Sequence, residues 1–465
     1  MHSGLLGIDI GTTAIKVMII EAGQALWSTS HRIQMYQDTA KMRYQKSAEI
    51  IAIIDEAILA IPKKLRQRVG KISFSVAMHS VMPMLHPANN PVFIWSDNQA
   101  EDTLMKEMTP TLREKFYLLT GTPIHPMSPF AKILHFKRNN LFPEETVWLG
   151  LKELVMQYFT GQAVIDVSTA SATGICDLAQ MSWNTEILQF LRISKSHLAP
   201  IVAPHASFDL LAAHKIRYDL PSEVEVICGA SDGTLAALAG LVSTGNPNSL
   251  TIGTSAAVRV IQKETWLDIA RQNFCYRLDE ETFVLGAPSN NGGSVLEWAR
   301  QLFGATAEEF YPMVQQALAT TTIGANGVKF YPFLTGERAP YWNTKLKAEF
   351  KGVGALTDQA VLVRSILEGM LLNIKQLLEV VPVSEPLSLS GGFFQTEELT
   401  QLLVDILGIE GVLSSENEPI YGLYYLLFPP LSKPHQAEIS FVPNQEKFQA
   451  YAKIAQNYFT DVSGS

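Results

Sequence analysis

Ile8-Asp9-Ile10-Gly11-Thr12-Thr13-Ala14-Ile15-Lys16-Val17-Met18 lies near the start of the chain, and Leu250-Thr251-Ile252-Gly253-Thr254-Ser255-Ala256-Ala257-Val258-Arg259-Val260 repeats its pattern in the second half. Each begins with an apolar run, passes through glycine and two hydroxyl residues, and continues into a second apolar run. Leu5 to Ile10 reads as a strand and Ala14 to Ile20 as another, joined at Gly11-Thr12-Thr13, so the first unit is a hairpin. Glycine followed by hydroxyls also arises by chance at turns. Duplication is the better reading, with both halves opening on the same hairpin.

Outward from these hairpins, Ser47 to Leu59 has helical character, Lys71 to Met78 is strand-like, and short strands alternate with helices thereafter, which defines an α/β protein. Turn residues cluster at Ser243-Thr244-Gly245-Asn246-Pro247-Asn248. That cluster divides residues 1–244 from 245–465, two units in keeping with a 465-residue chain when a domain takes roughly 100 to 200 residues. Further on, Thr357 is expected to cap a helix with Asp358 in its first turn. Val363, Ile366, Leu367, Met370, Leu371, Ile374 and Leu377 then keep helical spacing, as a core stripe.

The hydrophobic fraction is 47% and the charged fraction 17%, the composition of a packed protein rather than a disordered one. A net charge of −9 without a Lys or Arg run argues against nucleic acid held through its phosphates. A small-molecule partner fits better. Cys176, Cys228 and Cys275 are odd in number and far apart, so reduced core thiols are expected rather than disulfides or a zinc site. The first residues lack the pattern of a secretion signal, and no window carries the roughly 18 apolar residues of a membrane span. The expected location is cytoplasmic.

A strand turn that binds phosphate needs amides free to point inward and hydroxyl donors beside them, and Gly11-Thr12-Thr13 and Gly253-Thr254 both supply these. Lys16 adds positive charge. Asp9, immediately before the first turn, is placed either to hold Mg²⁺ or its water shell or to cap the turn. Val224 to Gly233 reads as a strand running into a turn with its acid, Asp232, at that turn, before a helix starting at Thr234. Gly229-Ala230-Ser231-Asp232-Gly233 also matches the GxSxG nucleophile elbow. A hydrolase would need a later histidine, and the only one is His435, so Asp232 as a general base is preferred. No GxxxxGK[ST] string occurs, which removes a P-loop enzyme.

Taken in order along the chain, these motifs resemble those of the FGGY carbohydrate kinases, and the resemblance covers almost all of it. Asp9 to Thr13 resembles the family's first phosphate motif, Gly229 to Gly233 the segment with its catalytic aspartate, and Thr251 to Ser255 the second phosphate motif. Asn290-Asn291-Gly292-Gly293 and Leu334 to Trp342 resemble further family stretches, and Ser390-Gly391-Gly392 the adenosine-side loop. Met127 to Phe136 and Gly352 to Gly369 resemble the two family signatures, with His135 and Val361 as departures.

The resemblance implies two actin-like (ribonuclease H-like) ATPase domains with an active-site cleft between them, the first sugar-binding and the second ATP-binding. It implies ATP and Mg²⁺ as cofactors, Asp232 as catalytic base and, with Asp9, a metal-side carboxylate. Met78, His79, Trp95, Asp97 and Asp232 would line the sugar, and Gly11, Thr12, Thr13, Lys16, Gly253, Thr254, Gly293, Gly392 and Thr396 would hold ATP. Gln99 stands where the family carries an arginine. The subtype reads closest to gluconate kinases, with xylulokinases as neighbours and a non-metabolic actin-like ATPase as the rival outside metabolism. The implied partners are a polyol or sugar acid and MgATP, without nucleic acid or membrane, and a homodimer is among the assemblies open to it.

Overall fold

Both hairpins form as read, and each seeds one of two large sheets in the computed structural model, which describes residues 4–86, 89–384, 386–414, 419–429, 439–460 and 462. The first sheet contains β1 (Gly4–Ile10), β2 (Ala14–Glu21), β3 (Gln24–Arg32), β4 (Val69–Val76), β5 (Ser207–Asp209) and β6 (Glu225–Ser231), in the order β5-β6-β4-β1-β2-β3. The second contains β7 (Asn248–Ile252), β8 (Ala256–Gln262), β9 (Phe274–Arg277), β10 (Phe283–Ser289), β11 (Leu387–Ser390), β12 (Gly411–Leu413) and β13 (Ser440–Phe441), in the order β9-β10-β8-β7-β11-β12-β13.

The two sheets share one pattern. In the first, β3, β2 and β1 run antiparallel in turn, then β4 and β6 lie parallel to β1. In the second, β10, β8 and β7 run antiparallel, then β11 and β12 lie parallel to β7. Strand β1 is buried along its whole length, as expected where a strand is covered on both faces. The duplication therefore extends from the hairpins to the strand order.

The expected helix at Ser47 is α1 (Ser47–Ala60). Five further helices frame the first sheet and the passage to the second: α2 (Pro129–Arg138), α3 (Leu151–Thr160), α4 (Val167–Ser171), α5 (Asp232–Thr244) and α6 (Gly293–Leu302). The core stripe lies on α7 (Gln359–Leu378), where all seven predicted apolar residues are buried. Its cap is Asp358 rather than Thr357, because the Asp358 carboxylate accepts from the Val361 amide while the Thr357 hydroxyl accepts from Gly354. Two more helices of the second half are α8 (Glu397–Leu407) and α9 (Pro419–Leu427). In space, α9 packs on α5, β1 and β4 of the first half.

Two expected boundaries move. Strand β4 ends at Val76, two residues early, because the chain turns at His79 with a left-handed φ of 66°. The turn placed at Asp232 does not exist as a separate element, since β6 runs to Ser231 and α5 starts at Asp232 itself.

That junction is supported from beneath by Lys152. Its ammonium is fully buried, donates to the carbonyls of Phe74 and Cys228 at 2.6 Å each and of Ala230 at 3.4 Å, and pairs with Asp166 at 3.3 Å. Asp166 in turn caps α4 by accepting from the Thr169 amide. Gly229 adopts φ 79° inside a bulge of β6, where a Cβ would sit 2.1 Å from the Phe74 carbonyl oxygen. Only glycine fits there. Lys152→Met would leave the Asp166 carboxylate buried without its cation. It is expected to lower stability by about 3–5 kcal/mol, read from urea unfolding, and a loss under about 1 kcal/mol would remove the assigned role.

Candidate active site

Asp232 is the first residue of α5, a helix that packs against strands of both sheets. Its Oδ1 accepts from the amides of Gly233 at 2.7 Å and Met78 at 3.4 Å. The side chain is partly exposed, yet burial raises its pKa above the usual carboxylate range, against the opposing pull of the Gly233 amide and the Arg259 charge. A raised pKa is what proton abstraction near neutral pH requires. Ser231, by contrast, is fully buried and its hydroxyl bonds only Ser168 and Thr234. It is no nucleophile, and His435 lies outside the described residues.

The two glycine turns differ in their surroundings. In the first, Thr12 Oγ1 accepts from the Trp95 indole at 3.0 Å, the Thr12 carbonyl accepts from Gln45, and the Thr13 carbonyl from the Ile33 amide. Gly11 donates its amide to the Ala14 carbonyl. Asp9 is buried, accepts from Ser75 Oγ at 2.6 Å, and stands opposite Lys16 in the hairpin register. In the second turn, the Gly293 amide donates to the Gly253 carbonyl at 2.7 Å and Ser294 to Thr254 at 3.1 Å. A Cβ on Gly293 would collide with that same Gly253 oxygen, whereas Gly253 itself faces open space.

A cavity of about 580 Å³ opens beside the second turn, lined by Gly253, Thr254, Gly293 and Gly392 among others. The N-terminus of α6 borders it without a side-chain cap, its first amides bonded instead to the carbonyls of Gly253, Thr254 and Gly292. Gly392 faces open space; the strained position is Gly391, at φ 106°, where a Cβ would meet the Ile252 carbonyl at 2.4 Å. Thr396 is not part of the lining and precedes α8 as its N-cap residue. The first turn and Lys16 are absent from this lining too.

On the first half, the residues named for the sugar have different degrees of access. Met78 presents its amide to Asp232 and packs beside Tyr276. His79 is buried, bonds the Ala172 carbonyl through Nδ1 at 2.8 Å, and has Nε2 3.5 Å from the Tyr276 hydroxyl. Since a carbonyl only accepts, Nδ1 carries the proton. Burial and the nearby Lys132 charge push the pKa of His79 down to about 3, so the ring is neutral. Asp97 is fully buried, with its oxygens taken by the Arg43 amide and the Gln99 backbone and side-chain amides. Trp95 is partly exposed and its ring is covered by the Arg338 guanidinium at 5.2 Å.

Four charged groups here were not singled out from the sequence. Lys132 is buried, donates to the carbonyls of His79 and Met127, and is pushed by burial down to about 7. Arg259 reaches Thr251 Oγ1 at 3.2 Å and lies close to Asp232. Glu337 is fully buried and accepts from Ser289, Asn290, Asn291, Asn373 and the Arg338 amide. Arg338 completes the set. Glu337 and Arg338 lie in the Leu334 to Trp342 stretch whose motif was noted, but their separate roles appear only through packing.

Comparison with known proteins agrees with the strand order. A model of the FGGY family of carbohydrate kinases, N-terminal domain, matches residues 5–239, and the C-terminal domain model matches 248–427. The chain is 32% identical over 451 residues to a gluconokinase of Bacillus subtilis (strain 168), covering 91% of this chain and 88% of the relative. A gluconate kinase structure from Lactobacillus acidophilus superposes with a TM-score of 0.90 at 26% identity, covering 99% of this chain and 98% of the other. A ligand-bound xylulose kinase structure from the same organism gives 0.90 and 26% as well, covering 99% of each chain.

The raised pKa of Asp232 carries a stability consequence. A carboxyl whose folded pKa exceeds its unfolded one favours folding when protonated and disfavours it as pH rises. Asp232→Asn is therefore expected to melt at a higher temperature than wild type at about pH 7.5, with the gain shrinking toward about pH 4. A variant less stable than wild type at pH 7.5 would make Asp232 a structural anchor instead.

Proposed function

The chain belongs to the FGGY family of carbohydrate kinases, and on that premise we propose that it transfers the γ-phosphoryl of MgATP to a hydroxyl of a sugar acid, D-gluconate. The family and the phosphotransfer rest on two domain models that together span most of the chain. The choice of gluconate is carried by the 32% identity to a gluconokinase over nine-tenths of the sequence. D-xylulose is the second reading, favoured by a xylulose kinase structure that superposes as well as the gluconate kinase one.

In this reading, residues 1–244 hold the sugar and 245–465 hold ATP. The adenosine lies in the cavity beside Gly392, and the phosphates run past Gly253, Thr254 and the α6 N-terminus toward Gly11, Thr12 and Thr13. Asp232 accepts the proton of the attacking hydroxyl while its oxygen forms the new bond to phosphorus and the bond to the ADP oxygen breaks. The turn amides and Lys16 offset charge on the transferring group.

Mg²⁺, bound with the nucleotide, would neutralise phosphate oxygens. Asp9 and Asp232 are hard oxygen donors suited to it or its waters. Among the described residues no three His, Cys, Asp or Glu side chains gather into a dedicated cage, which suits an ion that takes only one or two carboxylates and arrives with phosphates. Among the described residues no helix is long and apolar enough to cross a membrane, and the proposed setting is the cytoplasm, where ATP is supplied.

Release of ADP from MgATP, followed with D-gluconate, D-xylulose or glycerol and without any polyol, tests this reading. Gluconate-dependent turnover is expected, with kcat lowered by about 10²–10⁴ in Asp232→Asn. Turnover dependent on xylulose alone would move the substrate but keep the base. Turnover indifferent to every polyol would favour a non-metabolic actin-like ATPase, and full activity in the variant would unseat Asp232.

A further inference from the structure

Around the proposed sugar, donors outnumber acceptors. The Nε atoms of Arg259 and Arg338 and Nε2 of His125 are all buried without a hydrogen-bond partner. His125 accepts the Met127 amide at Nδ1, so its proton sits on the unpartnered Nε2. Buried N–H groups are rarely left unpaired, and each one stranded is unfavourable. Among the described residues neither arginine forms an ion pair.

The neighbouring carboxylates do not resolve this. Glu337, one residue from Arg338, already accepts five hydrogen bonds, and none of them comes from the guanidinium. Asp97 is buried and occupied by Arg43 and Gln99. Gln99 gives one N–H of its side-chain amide to Asp97 at 2.8 Å.

The two arginines are differently placed. Arg259 lies beside Asp232 and Gly233 and holds Thr251 of the second phosphate turn, at the end where phosphoryl transfer occurs. Arg338 crosses from the second half to lie over the Trp95 ring of the first, with Nη2 fixed by the Ser289 carbonyl at 2.9 Å. Its planar group is thereby oriented before any ligand arrives, with Nε left without a partner. The Arg338 charge also acts on the buried His125 ring, which packs edge-on to Trp342 with ring centroids 5.5 Å apart.

We propose that Arg338, through its unpartnered Nε and the guanidinium held above Trp95, binds the carboxylate of the sugar acid and selects it over a neutral sugar or polyol. A carboxylate is acceptor-only and planar, and a guanidinium edge matches it with two parallel hydrogen bonds. The proposal rests on the sugar-acid reading above, and it assigns specificity to a residue of the half that holds ATP.

The test compares D-gluconate with D-glucitol, the same six-carbon chain with a hydroxymethyl in place of the carboxylate. In Arg338→Met, KM for gluconate is expected to rise about 10- to 100-fold with kcat changed only a few-fold, so the gluconate-to-glucitol ratio of kcat/KM falls by a similar factor. Arg338→Lys, which keeps the charge but not the fork, should recover part of that ratio, and thermal unfolding with gluconate and no ATP should show the Met variant losing the ligand-induced rise. A Met variant that keeps the wild-type ratio, or loses both substrates in proportion, overturns the inference alone. Wild-type enzyme that turns over D-xylulose but not gluconate overturns the substrate reading, and this inference with it.

Discussion

The Lys152 ammonium gathers carbonyl oxygens from the ends of two parallel strands, β4 and β6, while pairing with Asp166 in a fully buried position. Parallel strands deliver their last carbonyls to one edge of a sheet, and without a cation that edge would repel a carboxylate placed just beyond it. The bulge at Gly229 and the hydroxyl cluster of Ser168, Ser231 and Thr234 continue the support upward to the first turn of α5. Asp232 thus stands at a helix N-terminus over neutralised strand ends. Its position is determined from below, by groups that never meet substrate.

A similar arrangement is built in the second half from a carboxylate instead of an ammonium. Glu337 ties the end of β10, the loop at Asn290 and Asn291, and Asn373 of α7 into one buried node. Because that node consumes Glu337, the adjacent Arg338 side chain is left to reach across to Trp95. Trp95 in turn bonds Thr12 of the first phosphate turn. One tryptophan therefore links Arg338 of the second half to the Gly11-Thr12-Thr13 turn of the first.

Elements whose physics is local were legible in the chain. A glycine and hydroxyls between two apolar runs specify a hairpin, and the α7 stripe specifies a buried helix, because both depend on spacing alone. The acid at 232 was legible from its place after an apolar run, though not that it begins the helix. The glycines expected to hold ATP were picked as a group, but the strained position is Gly391 beside Gly392, a distinction that depends on Ile252 being near. Likewise Asp97 and His79 are polar residues at expected places whose hydrogen bonds turn inward. Lys132, Lys152, Arg259 and Arg338 stayed hidden because a buried cation looks, in sequence, like any surface one; only its carbonyl partners or unpaired edges set it apart.

Helix α9 follows all but the last of the second sheet's strands in sequence but rests on the first sheet, with Ile420 against Gly7, Leu423 beside Gly229 and Gly422 pressed onto the Leu235 carbonyl. A Cβ at Gly422 would sit 2.1 Å from the Leu235 carbonyl oxygen, and one at Gly7 would require the Ile420 side chain to move. The unit that was copied and the unit that folds are consequently different things here. A first half synthesised on the ribosome emerges with the bed for α9 still bare, and its burial must wait until nearly the whole chain has been made. Helix α5, which forms the other side of that bed, would reach its final packing only then.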